Sequence, residues 1–135
     1  MRVGDCLKVG GIAGRPSARQ VPCGSVDSNF KVVATPAGDQ KCPGDVDSSY
    51  SQRGAFSDSV STLCLDIDWV VGGCMSVDPG HTTDPVRVDC TDTAAPHRQR
   101  ATQILRSVAA VDQCASGQGY AYPERRYTVC VENMA

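Results

Sequence analysis

The chain of 135 residues predicts an α+β, β-rich fold, a tandem pseudo-repeat of two disulfide-stapled β-β-β-(short α)-β lobes packed as one unit. Three observations carry this expectation. Eight cysteines stand at wide spacings with no Cys-x-x-Cys among them. The chain aligns with itself. Its short apolar runs alternate with polar residues and favour β-branched side chains, the pattern of half-buried strands.

The repeat is read in five blocks in order. "VGDCLKVGG" (3–11) lies over "VGGCMSVDP" (71–79), and "RQVPCGS" (19–25) over "VRVDCTD" (86–92). "SNFKVVAT" (28–35) lies over "PHRQRATQ" (96–103), while "GDQKC" (38–42) resembles "AVDQC" (110–114) and "STLCLDID" (61–68) resembles "RYTVCVEN" (126–133). Cys6, Cys23, Cys42 and Cys64 thus recur as Cys74, Cys90, Cys114 and Cys130, displaced by 66 to 72 residues. The lobes are residues 1–68 and 69–135.

Aromatic residues make up 5% of the chain, so each core must rest on Val, Leu, Ile, Ala and cystine. A lobe this small is marginal without staples. If each half closes on itself and the halves match, the first two cysteines of each join neighbouring strands and the last two flank the turn-rich remainder. The expected bonds are Cys6–Cys23, Cys42–Cys64, Cys74–Cys90 and Cys114–Cys130; the alternative exchanges a strand between halves. Each bond closes a loop of roughly 15 to 25 residues and contributes about 3 kcal/mol through loop entropy.

"DCLKVG", "RQVPC" and "FKVVAT" read as the first three strands, the third ended by "TPAGD" with Pro36 and Gly38. In "CPGDVDSSYS", Pro43 followed by Asp45 and Asp47 reads as the start of a short helix. "STLCLDID" is the fourth strand. In the second half Ala101, Ile104, Leu105, Val108 and Ala109 follow a helical period. Their first-half counterpart, "FKVVATPAG", cannot be a long helix, and repeats share a backbone, so a strand is expected near Arg100–Leu105. The stretch "TLCLDIDWVVGGCMSVD" (62–78) is the seam of the duplication. Trp69, Val70 and Val71 are not linker-like, and Trp69 is expected to be buried between the lobes.

Composition excludes several functions. The formal net charge of −2 provides no field for nucleic acid or an anionic membrane surface. His81 and His97 have no cysteine pair beside them, so neither a metal site nor a cofactor is expected. Eight cysteines without metal spacing imply disulfides and an oxidising compartment. No apolar run approaches the ~20 residues that cross a bilayer. An export signal is expected to have preceded the chain and been removed, with Met1 standing in its place.

Most individual motifs read as structural. Asp47, Ser49 and Ser51 match a DxSxS cation pattern but lack its strand context, and read as a capped turn. Asp66 and Asp68 are expected on the solvated face of a strand, with Leu65 and Ile67 on the other. No G-x-S-x-G elbow is present. His97 aligns with Asn29, which is no general base. "GQG" (117–119) lacks the strand–helix setting of a phosphate loop. Arg98, Arg100 and Arg106 read as a solvated edge. The ligand-binding candidates are Tyr120, Tyr122, Arg125 and Arg126 in "GYAYPERRY", because tyrosine and arginine dominate recognition hot spots and aromatic rings suit sugars. The competing reading has one tyrosine in the core and the arginines in solvent.

The pattern "GDC…V-x-C…(H/N)-x-x-x-V", with "DIDWVVGGCMSVD", "DPVRVDC", "PHRQRATQ" and "DQCASGQGYAYPERRY", resembles the septum-formation-type domain family of actinobacterial exported proteins, and most closely its mycobacterial lipoproteins. The resemblance implies an exported protein held on the outer face of the cell membrane by a lipidated cysteine preceding residue 1. It supplies no catalytic residues. Together these readings give an expectation of a monomeric, non-enzymatic module of the cell envelope. Its partner would be a glycan, lipid or protein, met in a groove between the lobes. The alternatives are a carrier of a small molecule or lipid with an inter-lobe cavity, and a small hydrolase using His97.

Overall fold

The computed structural model describes residues 2–12, 15–37, 40–53, 60–80 and 83–134; Met1, Gly38 and His81 lie outside the described residues. The chain divides into two compact units, Met1–Asp68 and Trp69–Ala135. The first contains β1 (Cys6–Ile12), β2 (Arg15–Val21), β3 (Phe30–Ala34), β4 (Ser48–Arg53) and β5 (Val60–Ile67). The second contains β6 (Cys74–Ser76), β7 (Val86–Val88), β8 (Arg98–Arg106), a 3₁₀ turn at Val111–Gln113, β9 (Gly119–Tyr122) and β10 (Tyr127–Asn133). Each unit forms one five-stranded sheet, in the order β2-β1-β3-β5-β4 in the first and β7-β6-β8-β10-β9 in the second. The two orders are the same, and all pairings are antiparallel.

The equivalence reaches individual residues. Cys6 pairs with Lys31 as Cys74 pairs with Arg100. Gly4 donates to the Val32 carbonyl at 2.9 Å, and Gly72 to that of Ala101 at 2.7 Å. These two glycines have φ of 97° and 90°, the left-handed region that a side chain would strain, where the chain turns into the first strand of its lobe. Each third strand carries one extra residue opposite the last, Val33 in β3 and Thr102 in β8, so both sheets kink at one register position. The structural register therefore sets Asn29 opposite Arg98 in the repeat, and Ser28 opposite His97. The sequence alignment, which matched Asn29 to His97, is corrected by one residue.

Four disulfides join Cys6–Cys23, Cys42–Cys64, Cys74–Cys90 and Cys114–Cys130, with Cα–Cα separations of 5.0, 5.6, 5.2 and 5.5 Å. Every cysteine is used. Four such bonds imply an oxidising, extracellular environment. Half-cystines share the core with a few large side chains. Cys6, Cys64, Leu7, Phe30, Val32 and Leu65 are buried in the first lobe, and Cys74, Cys130, Met75, Tyr122, Val129 and Val131 in the second. Among the described residues no helix is long and apolar enough to cross a membrane.

Both lobes are β-rich, and β8 settles the conflict at 100–105 in favour of a strand. Three local expectations are corrected. The short helix after Cys42 is instead a turn, closed by the Val46 amide on the Pro43 carbonyl at 3.4 Å, and then the edge strand β4. Ser49 and Ser51 thus lie on a strand rather than in a capped turn. Asp66 and Asp68 are buried, not solvated. Asp68 accepts from the Gly24 amide at 2.7 Å and the Ser28 hydroxyl at 2.6 Å, anchoring the turn after Cys23. Finally, β8 is the central strand of its sheet and not an edge. Arg98 is buried with its guanidinium donating to the Cys90 carbonyl, Arg100 pairs with Glu132 at 3.3 Å, and Arg106 is exposed.

Candidate functional site

The ends of β6, β8, β9 and β10 enclose a cleft of about 530 Å³ in the second lobe. Val77, Asp78 and Pro79 follow β6 into its wall. His97, Arg98 and Gln99 enter at the start of β8, Tyr120 from β9, and Asn133 and Met134 from the end of β10.

The polar groups are arranged as a chain. The Tyr120 hydroxyl donates to Gln99 Oε1, and Gln99 Nε2 donates to Asn133 Oδ1 at 3.0 Å. Tyr120 is backed by Trp69, whose ring lies 5.5 Å away at an interplanar angle of 27°. Trp69 is buried, and its indole N–H has no hydrogen-bond partner among the described residues. His97 stands at the rim with φ of 52°, a left-handed conformation costing roughly 1–2 kcal/mol outside glycine. Two bonds hold the chain there: Ser76 Oγ donates to the Pro96 carbonyl at 2.6 Å, and the Val77 amide to the His97 carbonyl at 3.2 Å. Asp78 accepts from the Gly80 amide at 3.0 Å. Among the described residues no side chain hydrogen-bonds to the His97 imidazole.

The first lobe shows what this place looks like when closed. In the shared register, Ser28, Phe30, Ile67 and Asp68 occupy the positions of His97, Gln99, Asn133 and Met134. Those four are 0%, 2%, 8% and 7% exposed. Phe30 and Ile67 pair across β3 and β5, while Ser28 and Asp68 hydrogen-bond beside them. In the second lobe the apolar pair has become an amide pair, and all four positions line a cleft. Tyr50 and Tyr120 share a register position, opposite Leu63 and Val129.

The residues singled out from "GYAYPERRY" separate. Tyr120 lines the cleft. Tyr122 is buried and stacks on Tyr127 at 4.4 Å and 9°, with the Arg125 guanidinium 5.2 Å from the Tyr122 ring and 5.5 Å from the Tyr127 ring. That cluster braces the β9–β10 hairpin. Arg126 is exposed at φ of 59°, its amide bonded to the Tyr122 carbonyl at 2.7 Å. Sequence reasoning overlooked Gln99, Asn133, Asp78 and Met134. The overlooked signal was the replacement of Phe30 and Ile67 by two amides, which the one-residue misalignment hid.

Gly119 fixes how β9 presents Tyr120. A Cβ there would stand 2.4 Å from the Val129 carbonyl oxygen and 3.2 Å from Cys130 Cα, both backbone atoms. Gly119→Ala is expected to push β9 off β10 and to lower stability by about 1–3 kcal/mol, the usual range for overpacking. Urea unfolding measures this; a wild-type midpoint would show that the strands need not be so close.

No family model, curated protein or solved structure matches the chain.

Proposed function

We propose that this chain is a non-enzymatic binding module of the extracytoplasmic cell envelope, and that the cleft of its second lobe is the binding site. The observation that carries the reading is the contrast between repeats. The buried Phe30 and Ile67 of the first lobe give way to the amides Gln99 and Asn133 in the second, and the buried Ser28 to the exposed His97, around a cleft in the size range of small-molecule sites. Replacing a buried Phe–Ile pair with Gln–Asn forfeits a few kcal/mol of apolar burial. Such a local departure from good packing is the mark of a site kept for binding. Held in the left-handed region, His97 adds a second departure at the same place.

Placement in the envelope rests on the four disulfides and on the resemblance to exported septum-formation-type domains, which also supports a lipid anchor. Binding without turnover is supported by His97, whose imidazole receives no side-chain hydrogen bond among the described residues.

The test restores the first-lobe pair. Gln99→Phe with Asn133→Ile is expected to raise stability by about 1–2 kcal/mol, because two apolar side chains become half-buried. In the wild-type protein, fragments from a small polar library should move the side-chain amide signals of Gln99 and Asn133 in ¹⁵N–¹H spectra. In the variant the same fragments should leave the neighbouring backbone signals of Arg98 and Met134 unmoved. Fragments that bypass the cleft in the wild type, or shift both proteins alike, would remove it as the site.

A further inference from the structure

Building on that reading, we infer that the cleft of the second lobe takes a neutral saccharide, one or two sugar rings of a glycan chain or of a glycolipid headgroup. The inference comes from matching the wall to the chemistry of possible ligands.

An anionic ligand needs an uncommitted cation. The arginine in the wall, Arg98, is buried and already bonded to the Cys90 carbonyl. Asp78 beside it contributes the opposite charge. An acyl chain needs a dry apolar wall, whereas here Gln99, Asn133, His97 and Asp78 face the opening. A sugar ring presents vicinal hydroxyls, each both donor and acceptor, around apolar C–H faces. Side-chain amides offer a donor and an acceptor on one rigid plane and so satisfy neighbouring hydroxyls together.

The Tyr120–Gln99–Asn133 chain holds two such amides in fixed orientation before any ligand arrives. That pre-organisation reduces the ordering cost of binding. Asn133 Oδ1 accepts from Gln99 and so leaves the Asn133 NH₂ as a donor at the exposed end of the chain. Tyr120, supported behind by Trp69, supplies an aromatic ring for the C–H face. The first lobe lacks the amide pair at its matching positions, so one site per chain is expected.

The experiment is a ¹⁵N–¹H titration of the oxidised full chain with maltose, cellobiose, chitobiose and α-mannobiose. In parallel, phosphatidylcholine vesicles with and without a digalactosyl lipid are tested by co-sedimentation. At least one neutral sugar is expected to shift Gln99 and Asn133 and to leave Tyr50 and Phe30 in place. Binding of free disaccharides assigns a glycan chain; binding only to glycolipid vesicles assigns a headgroup. Tyr120→Ala and Asn133→Ala should each weaken binding about tenfold, the loss of one hot-spot contact. Asn133 is exposed, so its variant reports on binding with the fold intact. Inorganic phosphate and dodecylphosphocholine serve as anionic and acyl-chain probes. If either moves the cleft signals and no sugar does, the saccharide assignment is overturned while the cleft remains the site. If no probe or library fragment moves them, both fall.

Discussion

Alanine at both Cys42 and Cys64 is expected to lower the stability of the chain by about 3 kcal/mol, within the roughly 2–5 kcal/mol usual for native bonds in small domains. The bond spans 22 residues of sequence and ties a loop cysteine to the middle of β5, where Cys64 is fully buried between Leu63 and Leu65. The segment from Thr35 to Asp47 contains no strand among its described residues, and the disulfide ties it to β5 together with the Ile67 amide, which donates to the Asp47 carboxylate at 2.8 Å. Without the bond the unfolded chain regains its loop entropy, and the native core loses two sulfur atoms and gains a void. Urea unfolding of the variant against wild type measures the loss. A change below about 1 kcal/mol would mean that the loop is held by its other contacts.

The second large effect is expected at Asp68. Its carboxylate is buried and receives the Gly24 amide and the Ser28 hydroxyl, while its own amide donates to the Asn29 carbonyl at 3.0 Å. Asp68→Ala strands the buried Ser28 hydroxyl and removes the acceptor of the part-buried Gly24 amide, at a cost of about 2–4 kcal/mol, because bonds to a charged acceptor are the stronger kind and an orphaned buried donor adds its desolvation. Asp68→Asn keeps one acceptor oxygen and should lose roughly half as much. Combined with Ser28→Ala, the alanine variant should cost less than the sum of the two, since both remove the same bond. Additive losses in thermal unfolding would show that Asp68 and Ser28 act separately.

Much of the architecture was legible because cysteines and glycines mark geometry directly. The cysteine order gave the repeat and the bonds. "FKVVAT" gave β3, and through the repeat it decided β8 against the helical period of Ala101, Ile104 and Leu105. The edge strands β4 and β9 escaped for a physical reason. "SSYSQR" and "GYAY" have little apolar alternation, because an edge strand gains its hydrogen bonds from one neighbour and faces solvent on the other side. Pro43, Asp45 and Asp47 are helix-start residues that serve equally well in a turn. Alternation also misplaced Asp66 and Asp68: every residue from Leu63 to Trp69 is buried, and a carboxylate is accepted there because the turn after Cys23 needs an acceptor. Of the candidate site, Tyr120 is legible as a binding residue and His97 as the residue of the hydrolase alternative. Gln99 and Asn133 carry no motif, and their meaning appears only beside Phe30 and Ile67 in the correct register.

The connectivity of the disulfides bears on how the chain acquires them. In sequence order each cysteine is bonded to its immediate predecessor or successor, first with second, third with fourth, and so to the end. A polypeptide threaded through a membrane N-terminus first would present each partner directly after the other. No thiol would need to be held in reserve for a distant mate. An oxidant that simply joins the two most recently emerged thiols would write the native pattern, with no reshuffling enzyme required to correct it, and the sulfur chemistry could keep pace with translocation rather than follow it.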